Sequence, residues 1–347
     1  MYENNYNTRQ RHNEYTYVDG IGFAPCTPSI TERHIIKEYA NGIGFILLLY
    51  LFFSHFIPRI LMKSFSVLIT AFRMFGAEYI GTQVILGFVS TASYILTMVL
   101  PFLIYVVIYH IPTRVILPFS KVKASDVALM VFMGLGVSTI GMYSSSAIST
   151  VFSIFGVIPT APDISFGSNI FRTTLLIIEI CIIAPVLEEI AFRGIIMQSL
   201  RRFGDRFALF MSAMFFALIH LNFVQLPNAF LMGLVIGYFV LRTNSLRVGI
   251  IMHAVNNALA IITTIVMEQI GIRYSSLVMN IICGIYLIAG IISFLIITKK
   301  YKNIFYISGS RNICTNKTKC FWFMTAAPML FALIIMFSMM VNTLVFT

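Results

Sequence analysis

Two adjacent glutamates, Glu188 and Glu189, interrupt an apolar run of the sequence, and Arg193 follows the second acid by four residues. Carboxylates in hydrocarbon are costly, so such a pair marks chemistry or transport rather than packing. At about 100° per residue, Glu189 and Arg193 share a helix face and Glu188 points elsewhere. We therefore expect Arg193 to neutralise Glu189 and leave Glu188 free; the alternative is two salt-bridged acids at a helix end. Glu179, nine residues before Glu188, lies about 180° around the helix and should face a different neighbour.

Two other apolar segments carry histidines. His253 and Asn257 are four residues apart, so one helix face presents both. Taken separately, His220 would be an interfacial histidine bonded to a backbone carbonyl, and His253 with Asn257 would form an interhelical hydrogen bond. The acids and both histidines fall within about seventy residues, which favours one shared site.

These residue types suit hydrolysis. A glutamate and a histidine around one water form a general-base pair, and a histidine with an asparagine can donate to a developing oxyanion. The set indicates hydrolysis of an acyl bond, most simply a peptide bond, without a serine or cysteine nucleophile and without a cofactor. The alternative is zinc held by Glu188, His220 and His253, although the sequence has no HExxH helix.

A helical hairpin would bring the first acid and the first histidine to one depth. Glu188 and His220 each lie sixteen residues from Gly204, so an apex there puts both roughly 24 Å along their helices. His253 is only nine residues beyond Asn244. It reaches the same level only if the turn at residues 243–245 is recessed into the bundle.

The composition places these segments in a membrane. Of 347 residues, 59% are hydrophobic and 11% are charged, and the mean hydropathy is +0.89. These values predict an all-α polytopic transmembrane helical bundle of about eight or nine membrane helices. We expect a polar, mobile tail at residues 1–36 and a single bundle at residues 37–347. Nine apolar segments are apparent, at about 42–62, 80–109, 126–156, 172–200, 206–222, 228–241, 247–267, 277–298 and 322–345.

The basic residues indicate an orientation. With the N-terminus in the cytoplasm and nine spans, 19 Lys and Arg fall on the inner side and 5 on the outer side. Cytoplasmic loops carry such an excess. The net charge of +11 is therefore interpreted as a topology signal, and no nucleic-acid partner is expected.

The polar residues also resemble a known family. Three motifs follow one another in the order and with the separations of the CAAX prenyl protease 2 and bacteriocin-processing family, called CPBP or Abi. The resemblance covers about residues 172–262, which would form the catalytic core. The motifs are Glu188-Glu189-x-x-x-Arg193, Phe216-x-x-x-His220 and His253-x-x-x-Asn257.

The resemblance implies an intramembrane endopeptidase with a helical-bundle fold and a cavity that opens toward the cytosol. In that family the first glutamate and first histidine are proposed to activate water, and the second histidine and the asparagine to stabilise the oxyanion. By motif position, the catalytic residues would be Glu188, His220, His253 and Asn257. The supporting residues would be Glu189, Arg193 and Phe216.

The expected substrate is a membrane-associated peptide or protein tail, because bacterial members of the family are linked to peptide maturation or to self-immunity against peptide toxins. A composition rich in Ile, Phe, Met and Asn favours a bacterial plasma membrane. Two alternatives remain open: a non-enzymatic bacteriocin self-immunity or membrane scaffold protein, and a proton- or ion-coupled transporter.

Overall fold

The fold is a helical bundle with very little strand. The computed structural model describes residues 15–18, 22–25, 28–75, 78–161, 169–270, 272–307 and 314–346. In chain order its helices are α1 (Pro28–Met74), α2 (Glu78–Ile108), α3 (Thr113–Ile116), α4 (Ala124–Ile154), α5 (Ile170–Ile178), α6 (Ala184–Glu188), α7 (Met197–Leu200), α8 (Asp205–Leu218), α9 (Leu226–Thr243), α10 (Leu246–Ile270), α11 (Ile272–Lys300), α12 (Asn316–Met324) and α13 (Ala327–Val341). The predicted all-α polytopic class is confirmed.

Four short strands form two antiparallel pairs in the described residues. They are β1 (Tyr15–Val18) with β2 (Gly22–Pro25), and β3 (Val157–Pro159) with β4 (Leu344–Phe346). The first hairpin and the start of α1 at Pro28 overlap the tail predicted at residues 1–36. Residues 1–14 of that tail lie outside the described residues.

The number of spans differs from the predicted eight or nine. Among the described residues, six helices are long and apolar enough to cross a membrane, and a seventh span results if α12 and α13, bent by 78°, count as one. The six are α1, α2, α4, α9, α10 and α11. The other two predicted spans, at 172–200 and 206–222, are helical but not among them. Two π-helical segments divide the helical run of the first, and α8 in the second has only 14 residues.

The helical run before α8 winds unevenly. Between α5 and α7, two π-helical segments, Glu179–Ile183 and Glu189–Ile196, flank α6. A single 3₁₀ turn, Arg201–Phe203, then leads to Gly204, whose φ of 115° lies in the region that only glycine adopts readily. α8 starts at the next residue, so the predicted hairpin apex is present at Gly204.

The turn between α9 and α10 is partly covered, because Ser245 is buried and Asn244 is exposed. Asn244 takes a left-handed conformation with φ 48°, and Ser245 is completely buried. The segment before α4 covers this turn, because the Leu246 amide donates to the Pro118 carbonyl at 2.8 Å and the Ser120 amide donates to the Asn244 carbonyl at 3.2 Å. α10 begins directly after this turn, and its His253 reaches both acids.

Close packing holds the bundle around the hairpin. α1 packs against α2 and α13, while α4 packs against α9, α10 and α11. At the α4–α11 crossing, a Cβ on Gly136 would lie 3.1 Å from the Gly290 Cα. Small residues at such crossings let helix backbones approach closely in membranes.

Candidate active site

Proline shapes the helix that carries the acids. In the first π-helical segment the Ala184 amide donates to the Glu179 carbonyl five residues earlier, the pattern of a π turn. The next amide in this pattern would belong to Pro185, which has none. The carbonyl thus left over, that of Ile180, accepts instead from Asn257 Nδ2 at 3.0 Å. A break in one helix therefore fixes the side chain of a predicted catalytic residue on another.

Glu189 is the buried centre of the cluster. Its Oε1 accepts from Arg193 Nη1 at 2.9 Å, and both side chains are 0% exposed. The same oxygen lies 3.0 Å from His253 Nδ1. Arg193 Nη2 also donates to the carbonyl of Gly233 on α9 at 3.3 Å. The pairing predicted from the i,i+4 spacing is present, and Glu189 in addition orients His253.

Glu188 points away from Arg193 but has partners of its own. Tyr94 on α2 donates its hydroxyl to Glu188 Oε1 at 2.6 Å. The other oxygen, Oε2, lies 3.7 Å from His253 Nε2. Tyr94 lies outside the segment that carries the motifs, and a single tyrosine in an apolar run gave no signal of this contact.

The prediction that Glu179 faces a different neighbour from Glu188 is wrong. Thr91 donates to Glu179 Oε2 at 2.8 Å, and Thr91 lies three residues before Tyr94 on α2. Both acids therefore contact the same face of α2. The cause is the π turn, whose extra residue reduces the rotation that an α-helix would accumulate between the two acids.

His220 follows the end of α8 with its ring fixed by local bonds. Its Nδ1 lies 2.8 Å from the Phe216 carbonyl. Because a carbonyl only accepts, Nδ1 carries the hydrogen, and Nε2 of the neutral ring keeps its lone pair. Leu221 adopts φ 55°, and Asn222 Nδ2 bonds the His220 carbonyl at 2.8 Å. This carbonyl bond is what the packing interpretation of His220 predicted.

Phe216 connects the two histidines. Its ring centroid lies 5.2 Å from that of His220 and 5.5 Å from that of His253, both edge to face. The Arg193 guanidinium stacks over the same ring at 4.2 Å, a cation–π contact. The separate polar sites of the sequence thus form one cluster, as the shared-site interpretation predicted.

The zinc alternative requires Glu188, His220 and His253 to act together as metal ligands. The described residues hold no group of three or more His, Cys, Asp or Glu placed to bind a metal ion. Tyr94 occupies one oxygen of Glu188, and Glu189 occupies Nδ1 of His253. These bonds leave Glu188 Oε2 and Nε2 of both histidines as possible ligand atoms, since a metal-binding histidine commonly donates its other ring N–H to a carboxylate or carbonyl. The zinc alternative stays a prediction, and no reaction step is derived through zinc.

The apolar helices and the buried acid–histidine cluster define an integral membrane protein of the polytopic helical class. Residues 170–259 match the sequence model of the Rce1-like family, described as type II CAAX prenyl endopeptidase Rce1-like. This segment is similar to that family, and the match confirms the resemblance to the CPBP (Abi) proteins. It runs from the start of α5 into α10 and contains all four predicted catalytic residues. No curated protein and no solved structure matches the chain.

Proposed function

We propose that this protein is an intramembrane endopeptidase that hydrolyses a peptide bond of a membrane-associated peptide or protein tail. The observation that carries the proposal is the Glu188 carboxylate, which is buried in the bundle with Oε2 3.7 Å from His253 Nε2. A family described as prenyl endopeptidases matches this segment, which supports peptide hydrolysis as the reaction. The enzyme would work in a bacterial plasma membrane with its N-terminus in the cytoplasm.

Water activation is assigned to Glu188 and His220. Tyr94 holds Glu188 Oε1, which leaves Oε2 to accept a proton from water. The Nε2 lone pair of His220 provides a second acceptor for the same water. The water oxygen attacks the carbonyl carbon, the C–N bond breaks, and the proton taken from water passes to the leaving amine.

Oxyanion stabilisation is assigned to His253 and Asn257. The Nδ1 hydrogen of His253 is used by Glu189, so a donor at Nε2 requires the ring with both nitrogens protonated. Asn257 Nδ2 uses one hydrogen for the Ile180 carbonyl and keeps a second one for the substrate oxygen. Donors held in advance of the reaction stabilise a developing oxyanion most strongly.

The test is cleavage of a membrane-peptide library by the purified protein in liposomes. We expect Glu188→Gln and His220→Ala to lower kcat by at least about 100-fold while the protein stays folded. Matched controls are Glu268→Gln, an exposed acid on α10, and His55→Ala. The His55 ring contacts the Leu51 carbonyl at 3.0 Å much as His220 contacts Phe216, but it is exposed on α1.

Four outcomes would contradict the proposal. Cleavage retained by Glu188→Gln would exclude Glu188 as the base. Cleavage abolished by a chelator and restored by zinc would assign the same residues to a metal site. Folded wild-type protein that cleaves nothing would favour the self-immunity or scaffold alternative, and Glu188-dependent ion flux would favour the transporter.

A further inference from the structure

A cavity lined by apolar side chains and several uncharged polar ones lies beside the cluster, between α4, α9, α10 and α11. Its volume is about 250 Å³, below the roughly 300–1,000 Å³ of pockets for drug-sized ligands, so it suits one or two side chains. Among the described residues that line it, none is charged. The proposed mechanism does not use this cavity.

The cavity adjoins the proposed oxyanion site through Asn256. Asn256 lines the cavity, and its Nδ2 donates to Asn257 Oδ1 at 3.4 Å. One residue of α10 therefore faces the cavity while its neighbour faces the reacting bond. A side chain bound in the cavity would belong to a substrate residue close to the scissile bond.

Two amide groups on opposite walls supply unused hydrogen-bonding capacity. Asn228 on α9 accepts from Ser138 Oγ at 3.4 Å, and no bond of its Nδ2 occurs in the part of the chain described. Within the same part, Asn256 Oδ1 has no donor. Gly141 on α4 leaves room for the Asn228 side chain, because a Cβ there would overlap it.

The hydroxyls of the wall add acceptors but few donors. Thr139 donates to Leu135, Thr263 to Leu259 and Thr264 to Ala260, each within its own helix. The Thr263 hydroxyl also contacts the Tyr286 hydroxyl, so the oxygens of Thr139 and Thr264 are the ones left to accept from a ligand. A charged side chain would meet no counter-charge in this lining and would lose its hydration, which is costly.

We propose that this cavity is a substrate subsite that selects an uncharged amide side chain, glutamine or asparagine, next to the cleaved bond. Asn228 donates to the oxygen of the substrate amide, and Asn256 accepts from its nitrogen. The inference rests on the proposed endopeptidase function, because it names the residue class that this same site takes.

The experiment measures binding apart from cleavage. Full-length Glu188→Gln protein in detergent is titrated with fluorescein-labelled membrane peptides. Each set of peptides varies a single position, which carries Gln, Leu, Glu or Lys, and successive sets vary successive positions. We expect the best Gln peptide to bind about fivefold more tightly than its Leu, Glu and Lys counterparts. This preference should disappear with Asn256→Leu and with Asn228→Leu.

Asn280→Leu is the matched control, since Asn280 lies on α11 outside the cavity and accepts from Tyr143 at 2.9 Å. The Asn280→Leu protein should keep the preference for the Gln peptide. Two cavity variants are used so that misfolding of one leaves the other to decide. Equal binding of all peptides, or a preference that survives in a folded cavity variant, would overturn the subsite.

Cleavage by wild-type protein separates this inference from the function. If the wild type cleaves without a Gln preference, the subsite is wrong and the endopeptidase stands. If nothing is cleaved but binding selectivity follows Asn256 and Asn228, the subsite stands and the endopeptidase is wrong.

Discussion

At the scale of single residues, the two adjacent acids have opposite environments. Glu189 is completely buried and shared between Arg193 and His253. Glu188 keeps one oxygen beside His253 Nε2 and gives the other to Tyr94. Each acid has an Oε2 that no full hydrogen bond occupies, but the Glu189 side chain is 0% exposed and that of Glu188 is 11% exposed. We assign structure to Glu189 because it is the counter-charge of the buried Arg193, and chemistry to Glu188 because its free oxygen lies beside His253 Nε2.

Removing the Tyr94 hydroxyl should slow catalysis without unfolding the protein. In Tyr94→Phe the Glu188 carboxylate loses a bond of 2.6 Å, and hydrogen bonds to charged groups contribute about 1.5–3 kcal/mol. We expect kcat to fall about tenfold or more with little change in KM, measured by peptide cleavage. Tyr143→Phe, which removes an exposed hydroxyl bond to Asn280, is the control. A Tyr94→Phe enzyme with wild-type kcat would refute the positioning role.

Neutralising Glu189 should instead destabilise the fold. Glu189→Gln leaves the fully buried Arg193 without its counter-charge, and breaking a buried pair costs about 3–5 kcal/mol. We expect a lower free energy of unfolding in mixed detergent micelles, whereas Glu188→Gln should unfold like wild type. Equal stability of the two variants would show that the acids do not divide their roles in this way.

At the scale of elements, irregular winding sets the site. Pro185 removes one amide, and the π segments on either side of α6 turn both Glu179 and Glu188 toward α2. π turns are frequent at functional sites. In a uniform α-helix Glu179 would face another neighbour, and Pro185 would free the Cys181 carbonyl instead of the Ile180 carbonyl that Asn257 contacts.

Glycine lets α10 approach the acids. A Cβ on Gly249 would lie 2.8 Å from Glu189 Oε2 and 2.8 Å from Val240 Cγ2. Gly249→Ala should therefore push α10 outward and lower the free energy of unfolding by about 1–3 kcal/mol. Cleavage should also fall, because His253 on α10 would move away from the acids. Unfolding and cleavage assays check both effects.

The matched control for this change is Gly284→Ala on α11, where nothing lies within 4 Å of an added Cβ. It should be neutral, or stabilising by up to about 1 kcal/mol, because alanine loses less backbone entropy in a helix. Equal stability and equal cleavage rates of the two glycine variants would show that the close approach at Gly249 does not position His253.

At the scale of the whole molecule, a buried lysine joins the C-terminal helices to the hairpin whose apex is Gly204. Lys319 on α12 is completely buried and donates to the Phe203 carbonyl at 2.8 Å, beside the apex at Gly204. Its Nζ also lies 3.5 Å from Glu32 Oε1 on α1. The two ends of the described bundle thus meet at the turn that sets the depth of Glu188 and His220.

Breaking this junction should weaken the fold. Lys319→Met leaves Glu32 and the Phe203 carbonyl without their buried donor and should lower the free energy of unfolding by about 3 kcal/mol. Lys317→Met, an exposed lysine on the same helix, should change it little. Detergent unfolding of both variants measures the difference, and equal stabilities would show that Lys319 does not hold the hairpin.

The sequence by itself determined the class of fold and the identity of the cluster. Long apolar runs require helices in a membrane because no water is there to satisfy the backbone. The spacing of Glu189 and Arg193 predicted their ion pair, and a hairpin with its apex at Gly204 would place Glu188 and His220 at equal distances along its two helices. The match to residues 170–259 covers nearly the segment that the motifs marked.

Only the tertiary structure decided which groups surround the cluster. Tyr94, Thr91 and the uncharged cavity come from helices whose sequences carry no pattern of chemistry, because contacts between distant segments depend on how the helices pack. The π turn decided which helix the Glu179 side chain contacts, and the 3.6-residue period of an α-helix does not predict such a turn. Apolar length alone also did not fix the number of spans, since α8, which is largely buried in the bundle, is as apolar as a helix long enough to cross a membrane.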